Sequence, residues 1–517
     1  MSNTEKLEKN SGTQKNRSST NSHGLIRSML VIGSAQSVNI VLSILRMKVL
    51  AVLLGPSGVG LLSIYNNLQG MVSNAAGLGM KSSGVRQLAN AKGEEQALSR
   101  VRRVLLAAHM LQGVLAMLGV WLLREQISVW LLGDSTYALE IALLGIAILL
   151  TLLMEAQTAL LQGLRRIGDL GRVTVLGALG GTVVGLVAVW VYGQPGLVWF
   201  VLSQPLMGLA AALYFTRSLP KPTTPRLSFV ETWEGWKPMA RLGAAFMLGG
   251  LATTATLLLV RGRITQELGL DAAGQFAASW GITMTYVGFL LGAMGADYFP
   301  RLTEVIHDRV AAIRLMNDQA QLGLAIGGPV LLLLIGWAPW VITLLYSPEF
   351  APAATLLQWQ TVGNVFKLAS WPLGFSLAAA ARGNTFLLVQ VNFNILFLAM
   401  LWPTLLYYGI IAAGPSFMVA YMLHFALLNI LVYRIHAFRW QPLSLGLLAL
   451  HAGLAIGLLL LALMAPLAAI IAAPLLALIT CLLGLRIVLT KIGPTGRIAA
   501  PLARAYAALG WPIRSDT

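Results

Sequence analysis

Apolar stretches of about 20 residues recur along nearly the whole of this 517-residue chain. Each is long enough to cross a hydrocarbon core of about 30 Å. Inside such a core every backbone N–H and C=O must be satisfied by the chain itself, which leaves helices or a closed barrel. Barrel strands read as segments of about ten residues with alternating polarity. The stretches here are continuous, so the pattern predicts an all-α polytopic membrane protein. Composition agrees: 57% of residues are hydrophobic, 11% are charged, and the mean hydropathy is +0.75. The segmentation predicts fourteen spans, at 28–54, 60–80, 104–123, 138–163, 173–192, 197–216, 242–266, 275–297, 319–345, 353–381, 385–408, 415–433, 444–464 and 468–488.

Charge then orients them. Of the 36 lysines and arginines, all but Arg46, Lys48, Arg124, Arg261, Arg263 and Lys367 fall in alternate loops: the N-terminal tail, 81–103, 164–172, 217–241, 301–314, 382–384, 434–443 and the end from Arg486. The positive-inside rule makes this set cytoplasmic, with both termini on that side of the membrane. Those charges set topology and meet anionic lipid headgroups, so the net charge of +17 needs no nucleic acid to explain it. Residues 1–27 are polar and aperiodic and read as a disordered tail. The single cysteine, Cys481, precludes an internal disulfide, and the six histidines have no metal-ligand spacing. Nothing clusters as a catalytic or metal site, and no cofactor is expected.

An internal repeat organises the remaining charges. A shift of 214 residues lays LGPSGVG (54–60) on LGLDAAG (268–274), Met80 on Met294 and Arg100 on Arg314; a drift to 215 lays RRIGD (165–169) beside AARGN (380–384). Two six-helix lobes follow, at 28–216 and 242–435, joined by the Pro-rich linker 217–241. Two further spans lie in 436–490, and 491–517 forms a cytoplasmic tail. An even number of helices per repeat predicts a two-fold axis along the membrane normal. Arg46 and Lys48 correspond within a residue to Arg261 and Arg263. Either these pairs snorkel to headgroups, or with Lys367 they face a hydrated cavity that attracts an anion. An isolated charge at mid-span costs about 2.5–3.5 kcal/mol.

Polar faces bear on the choice. In the second span Ser63, Asn66, Asn67, Gly70, Asn74 and Gly77 recur at helical spacing; in the eighth, Gln275, Ser279, Thr283 and Tyr286 do, running toward Asp297. The first span adds Asn39 and Ser43. Close packing of small residues accounts for the glycines, and cavity lining for the amides. The fourth span puts Thr151, Glu155, Thr158 and Gln162 on one face; the tenth puts Gln360, Asn364, Lys367 and Trp371 there. Glu155, with Asp297, is a candidate ion-coupling site; a structural ion pair between Glu155 and Lys367 is the alternative.

The stretch SILRMKVLAVLLGPSGVGLLSIYNNLQGMVSNAAGLGMKSSGVRQLA (43–89) resembles the opening of polysaccharide flippases of the Wzx type. These belong to the multidrug/oligosaccharidyl-lipid/polysaccharide exporter superfamily. The resemblance rests on the arginine late in the first span, the LGPxGxG turn and the GLG…SGVRQLA exit. It extends loosely to about residue 435, and such proteins usually have twelve spans rather than fourteen. It implies a MATE-like pair of six-helix lobes with alternating access. The implied substrate is an undecaprenyl-pyrophosphate-linked oligosaccharide, of the O-antigen repeat-unit type used in lipopolysaccharide biosynthesis. Arg46 matches a cavity arginine of the related lipid II flippases. A polysaccharide polymerase or another assembly protein is an open partner. A drug, cation or organic-anion exporter of the same superfamily is the alternative, and five intramembrane basic residues against Glu155, Asp297 and Glu140 argue against the cationic case.

Overall fold

The computed structural model describes residues 3–91, 93–219, 228–493, 499–508 and 510–513, with side chains from Ser34 onward apart from those of 245, 246, 249, 296 and 492. Much of the linker and parts of the C-terminal tail lie outside these residues. The protein is all-α and multi-pass, with no strand among the described residues. Among the described residues ten helical stretches have the length and apolarity to cross a bilayer, and Ser34–Gly77, Gly250–Gly295 and Gly383–His436 are each long enough to cross twice.

Glycine sets where those long stretches turn. Helix α1 (Asn3–Gly77) breaks at Gly55, with φ 63° and ψ −165°. Helix α8 (Phe229–Val305) breaks at Gly269, with φ 84° and ψ 174°. An L side chain at either backbone would be strained. The two glycines are related by the 214-residue shift, so the repeat read from LGPSGVG and LGLDAAG is a repeat of backbone conformation. Helices α5 (Ala138–Gly163) and α6 (Ile167–Tyr192) likewise match α10 (Pro352–Ala379) and α11 (Gly383–Tyr408). Both α5 and α10 end on a left-handed residue, Arg165 at φ 59° and Ala381 at φ 54°. The next N–H reaches back to Leu161 and Leu377 respectively, closing the same C-terminal turn. The register here is 216, not 215, which sets Glu155 opposite Trp371 and Lys367 opposite Thr151.

The remaining elements are α2 (Met80–Asn90), α3 (Glu95–Leu122), α4 (Arg124–Leu132), α7 (Gly196–Thr216), α9 (Arg309–Leu345), α12 (Ala413–His436), α13 (Pro442–Met464), α14 (Pro466–Ile492) and α15 (Ala499–Ala508). The polar residues 3–27 are helix continuous with the first span, where the sequence suggests an irregular tail; Glu, Lys, Leu and Gln there are good helix formers. Helix α8 opens on a capping box in which Ser228 Oγ accepts from Glu231 N and Ser228 N donates to the Glu231 carboxylate at 2.7 Å. That bond holds the Glu231 carboxyl below its ordinary range.

The helices form two compact units: Met1–Leu54 with Ile64–Leu258, and Gly55–Ser63 with Leu259–Thr517. In the first, Met80, Leu105, Leu160 and Met239 centre the apolar core. In the second, α13 and α14 pack on α9, sharing a core with Leu331, Ile335, Leu458 and Ala473. Those two helices are integral to their unit. Asn317 fastens the start of α13: its Oδ1 accepts from Gln441 N and Ser444 Oγ while its Nδ2 donates to Arg439 O.

Candidate functional site

The first unit holds an open cavity of about 560 Å³ whose lining mixes apolar side chains with amides and hydroxyls, among them Gln36, Asn39, Gln69, Thr151, Thr158 and Gln204. Helix α5 supplies Thr151, Thr158 and Gln162 from one face, as its spacing predicts. Gln69 Nε2 donates to Thr151 Oγ1 at 2.8 Å, and Thr151 in turn donates to Ala147 O. Arg46 reaches Gln204, its Nη1 donating to Oε1 at 3.2 Å, with Nη2 3.4 Å from Ser43 Oγ. This guanidinium, late in the first span, is thus held by neutral amide and hydroxyl oxygens, and among the described residues no carboxylate lies within 4.0 Å of it, so its charge is attractive to an anion.

At the cavity wall Lys81 faces Glu155, with Nζ 3.7 Å from Oε1. The chain gets Lys81 there through two successive left-handed residues, Leu78 (φ 47°) and Gly79 (φ 61°), which end α1 and start α2. Gly79 must be glycine on a second ground: a Cβ there would lie 2.2 Å from Gly243 O. The GLG exit motif therefore aims a lysine at a carboxylate. The sequence reading assigned Lys81 to topology and offered Lys367 as the structural partner of Glu155; the observed partner is Lys81. An adjoining cavity of about 630 Å³ shares Ala35 and Gly171 with the first and carries Arg165 and Arg172 on its wall. Sequence reasoning treated Gln204, Arg165 and Arg172 as unremarkable. The polar pair SQ inside the apolar span 197–216 was the available signal for Gln204.

Other expected residues sit elsewhere. Asn66 and Asn74 are exposed, and Asn67 is half-buried with no partner for its Nδ2. Lys48 is half-buried on the first span. In the second unit Arg261 is only 8% exposed and its Nη1 donates to Ser63 O at 2.9 Å. Arg263 is paired with Glu267 at 2.5 Å and lies over the Trp402 ring. The basic-x-basic pair of α8 thus holds helix backbone and a neighbouring carboxylate. Asp297 forms an exposed pair with Arg301 at 3.0 Å, a surface contact of small energetic weight and not an enclosed ion site.

The α8 and α10 faces meet inside the second unit. Thr283 Oγ1 donates to Gln360 Oε1 at 3.0 Å, Ser279 bonds Phe276 O, and Tyr286 reaches Gly327 O at 3.5 Å. Asn364 is fully buried with neither amide atom partnered; Gln275 is half-buried. Lys367 Nζ rests 3.5 Å from Met284 Sδ and 5.4 Å from the Tyr421 ring centre. Among the described residues no carboxylate lies within 4.0 Å of it. These are small clusters between packed helices, unlike the roomy cavity of the first unit.

The architecture defines the class first. Lipid II flippase MurJ in an inward closed conformation matches with a TM-score of 0.65 at 13% identity, over 89% of this chain and 100% of that one. An inward-facing multidrug resistance MATE family transporter of the MOP superfamily matches at 0.63 and 16% identity, over 77% and 95%. Both likenesses are of fold. The profile described as "Polysaccharide biosynthesis protein" matches residues 25–306, more than half the chain, and the chain belongs to that family. Among curated relatives, the Lipid III flippase of Escherichia coli (strain K12) is 24% identical over 414 residues, 78% of this chain and 97% of the relative. The Lipid III flippase of Shigella flexneri gives the same figures.

Proposed function

We propose that the protein is a flippase for an undecaprenyl-pyrophosphate-linked oligosaccharide of the O-antigen type. It moves this substrate from the cytoplasmic to the periplasmic leaflet of a bacterial inner membrane, with both termini cytoplasmic. The observation that carries this reading is Arg46 in the first unit, held by the neutral oxygens of Gln204 and Ser43, with Gln204 in turn lining a cavity that also presents Asn39, Gln69 and Thr151. A pyrophosphate diester needs a cation to leave the headgroup region, and sugar hydroxyls need partners of the Asn39, Gln69 and Gln204 kind. Arg165, on the adjoining cavity, gives the pyrophosphate an earlier foothold, while Arg172 on the same wall is paired with Asp169 at 3.0 Å. Membership of a polysaccharide biosynthesis family and similarity to lipid III flippases support a lipid-linked substrate. A drug or cation exporter is disfavoured because Glu155 is already matched by Lys81.

Binding tests this directly. Purified protein titrated with a fluorescent undecaprenyl-pyrophosphoryl oligosaccharide should prefer it to a cationic dye. Arg46→Ala should weaken binding at least tenfold, the worth of a charge-assisted hydrogen bond of about 1.5–3 kcal/mol. Equal affinity for the dye, or an unchanged Arg46→Ala titration, would remove the assignment.

A further inference from the structure

We infer a binding site for an anionic glycerophospholipid in the second unit, between the start of α13, the end of α14 and the C-terminal segment. A cavity of about 660 Å³ lies there. Its walls are apolar, formed by Leu443 and Leu447 of α13 and Leu483 and Ile487 of α14. Arg486 and Lys491 border it, near the last turns of α14. α13 begins where α14 ends, so the cations sit at the ends of two spans, at headgroup depth, while the leucines continue into the acyl region.

The wall made by the C-terminal segment is built. Tyr506 of α15 is buried and its hydroxyl donates to Leu482 O at 2.6 Å, seating α15 on α14. Gly510, at φ 78°, turns the chain, and Trp511 N reaches back to Tyr506 O at 2.9 Å. That turn brings the Trp511 ring to 5.6 Å from the Arg486 guanidinium. Cation–π stacking occupies the face of a guanidinium and leaves its in-plane N–H donors available. Among the described residues no carboxylate lies within 4.0 Å of Arg486, whereas Lys491 is paired with Asp318. The pair cancels, so among the described residues one positive charge without a carboxylate partner remains beside the cavity.

Charge and shape together select the occupant. A phosphate monoanion answers Arg486, one or two acyl chains fill the leucine-lined groove, and Trp511 takes the amphipathic position indole rings favour at a membrane interface. A free phosphate satisfies the charge but leaves the groove empty, and a zwitterionic lipid fills the groove while adding a second cation beside Arg486.

Native mass spectrometry of the full-length protein tests the site with three probes: dioleoyl phosphatidylglycerol, dioleoyl phosphatidylcholine and glycerol 3-phosphate. The expected result is one retained phosphatidylglycerol at concentrations where neither other probe is retained. Arg486→Gln should weaken that binding about fivefold, in line with the worth of one interfacial cation. Arg504→Gln, which removes an exposed charge on the same segment, should leave it unchanged. Leu447→Trp, which fills the groove and keeps every charge, should abolish retention even if Arg486→Gln folds poorly. Equal loss in Arg486→Gln and Arg504→Gln, retention in Leu447→Trp, or equal retention of glycerol 3-phosphate would overturn the proposal.

Discussion

Two residues, Lys81 and Glu155, show how position outweighs residue type. Lys81 belongs by composition to a topology-setting loop, yet the left-handed pair Leu78–Gly79 delivers it to a carboxylate on α5. The side chains are 45% and 26% exposed, so solvent screens the pair and its net worth is about 1 kcal/mol or less. Removing one partner leaves the other charge in a half-buried site, and that asymmetry is measurable. Lys81→Met and Glu155→Gln should each lower thermal stability in detergent. The double variant should lose less than the sum of the two, and strict additivity would show that the pair is not coupled. Sequence alone could place Glu155 and its hydroxyl-bearing neighbours on one helical face. It could not find Lys81, because a contact between residues 74 positions apart is set by a turn whose backbone angles one motif only hints at.

At the scale of helices, glycine decides what can approach what. In the second unit a Cβ on Gly60 would lie 2.2 Å from Leu270 O, and one on Gly274 would lie 1.9 Å from Pro56 O. Under the 214-residue shift Pro56 falls on Leu270 and Gly60 on Gly274, so the two limbs cross in a self-matching contact. Gly274→Ala must push backbone apart and should sharply reduce folded protein in fluorescence size-exclusion chromatography. Gly70→Ala, with open space around it, should leave the elution profile unchanged; a normal profile for Gly274→Ala would refute the close crossing. Span positions and the LGPSGVG repeat were legible in the sequence because apolar length and glycine spacing are local properties. The drift to 216 was not legible, since the matching turns at Arg165 and Ala381 share backbone angles and not residue types. Helices α13 and α14 fall outside the repeat, so the sequence does not show what they pack on; in the structure both cover α9, and Asn317 holds the start of α13 through hydrogen bonds to Gln441, Ser444 and Arg439. Truncation after residue 436 strips that cover from Leu331 and Ile335 and should prevent accumulation of folded protein; a stable truncated protein would contradict the shared core.

The molecule as a whole combines a repeated helical frame with an uneven distribution of polar groups. The sequence repeat suggested equivalent cation pairs in both halves. The structure instead holds Arg46 on the neutral oxygens of Gln204 and Ser43, buries Arg261 against Ser63 O and pairs Arg263 with Glu267. Basic residues recur at matching depths with different partners: neutral side-chain oxygens for Arg46, helix backbone and a carboxylate for Arg261 and Arg263. Periodicity cannot separate these, because both place a cation late in an apolar span. In our reading Glu155 couples transport by exchanging Lys81 for a proton or another cation as the cavity changes access. Glu155→Gln should then retain substrate binding and lose its dependence on an imposed ion gradient.

The most direct measurement uses proteoliposomes that carry the purified protein and a fluorescent undecaprenyl-pyrophosphoryl oligosaccharide. Label reaching the far leaflet is read by quenching, with Arg46→Ala alongside and the gradient imposed. The account predicts protein-dependent transfer that falls at least tenfold in Arg46→Ala while the variant inserts normally. Transfer at the same rate in the variant, or none in the wild type under any imposed gradient, would contradict a lipid-linked glycan flippase built around Arg46.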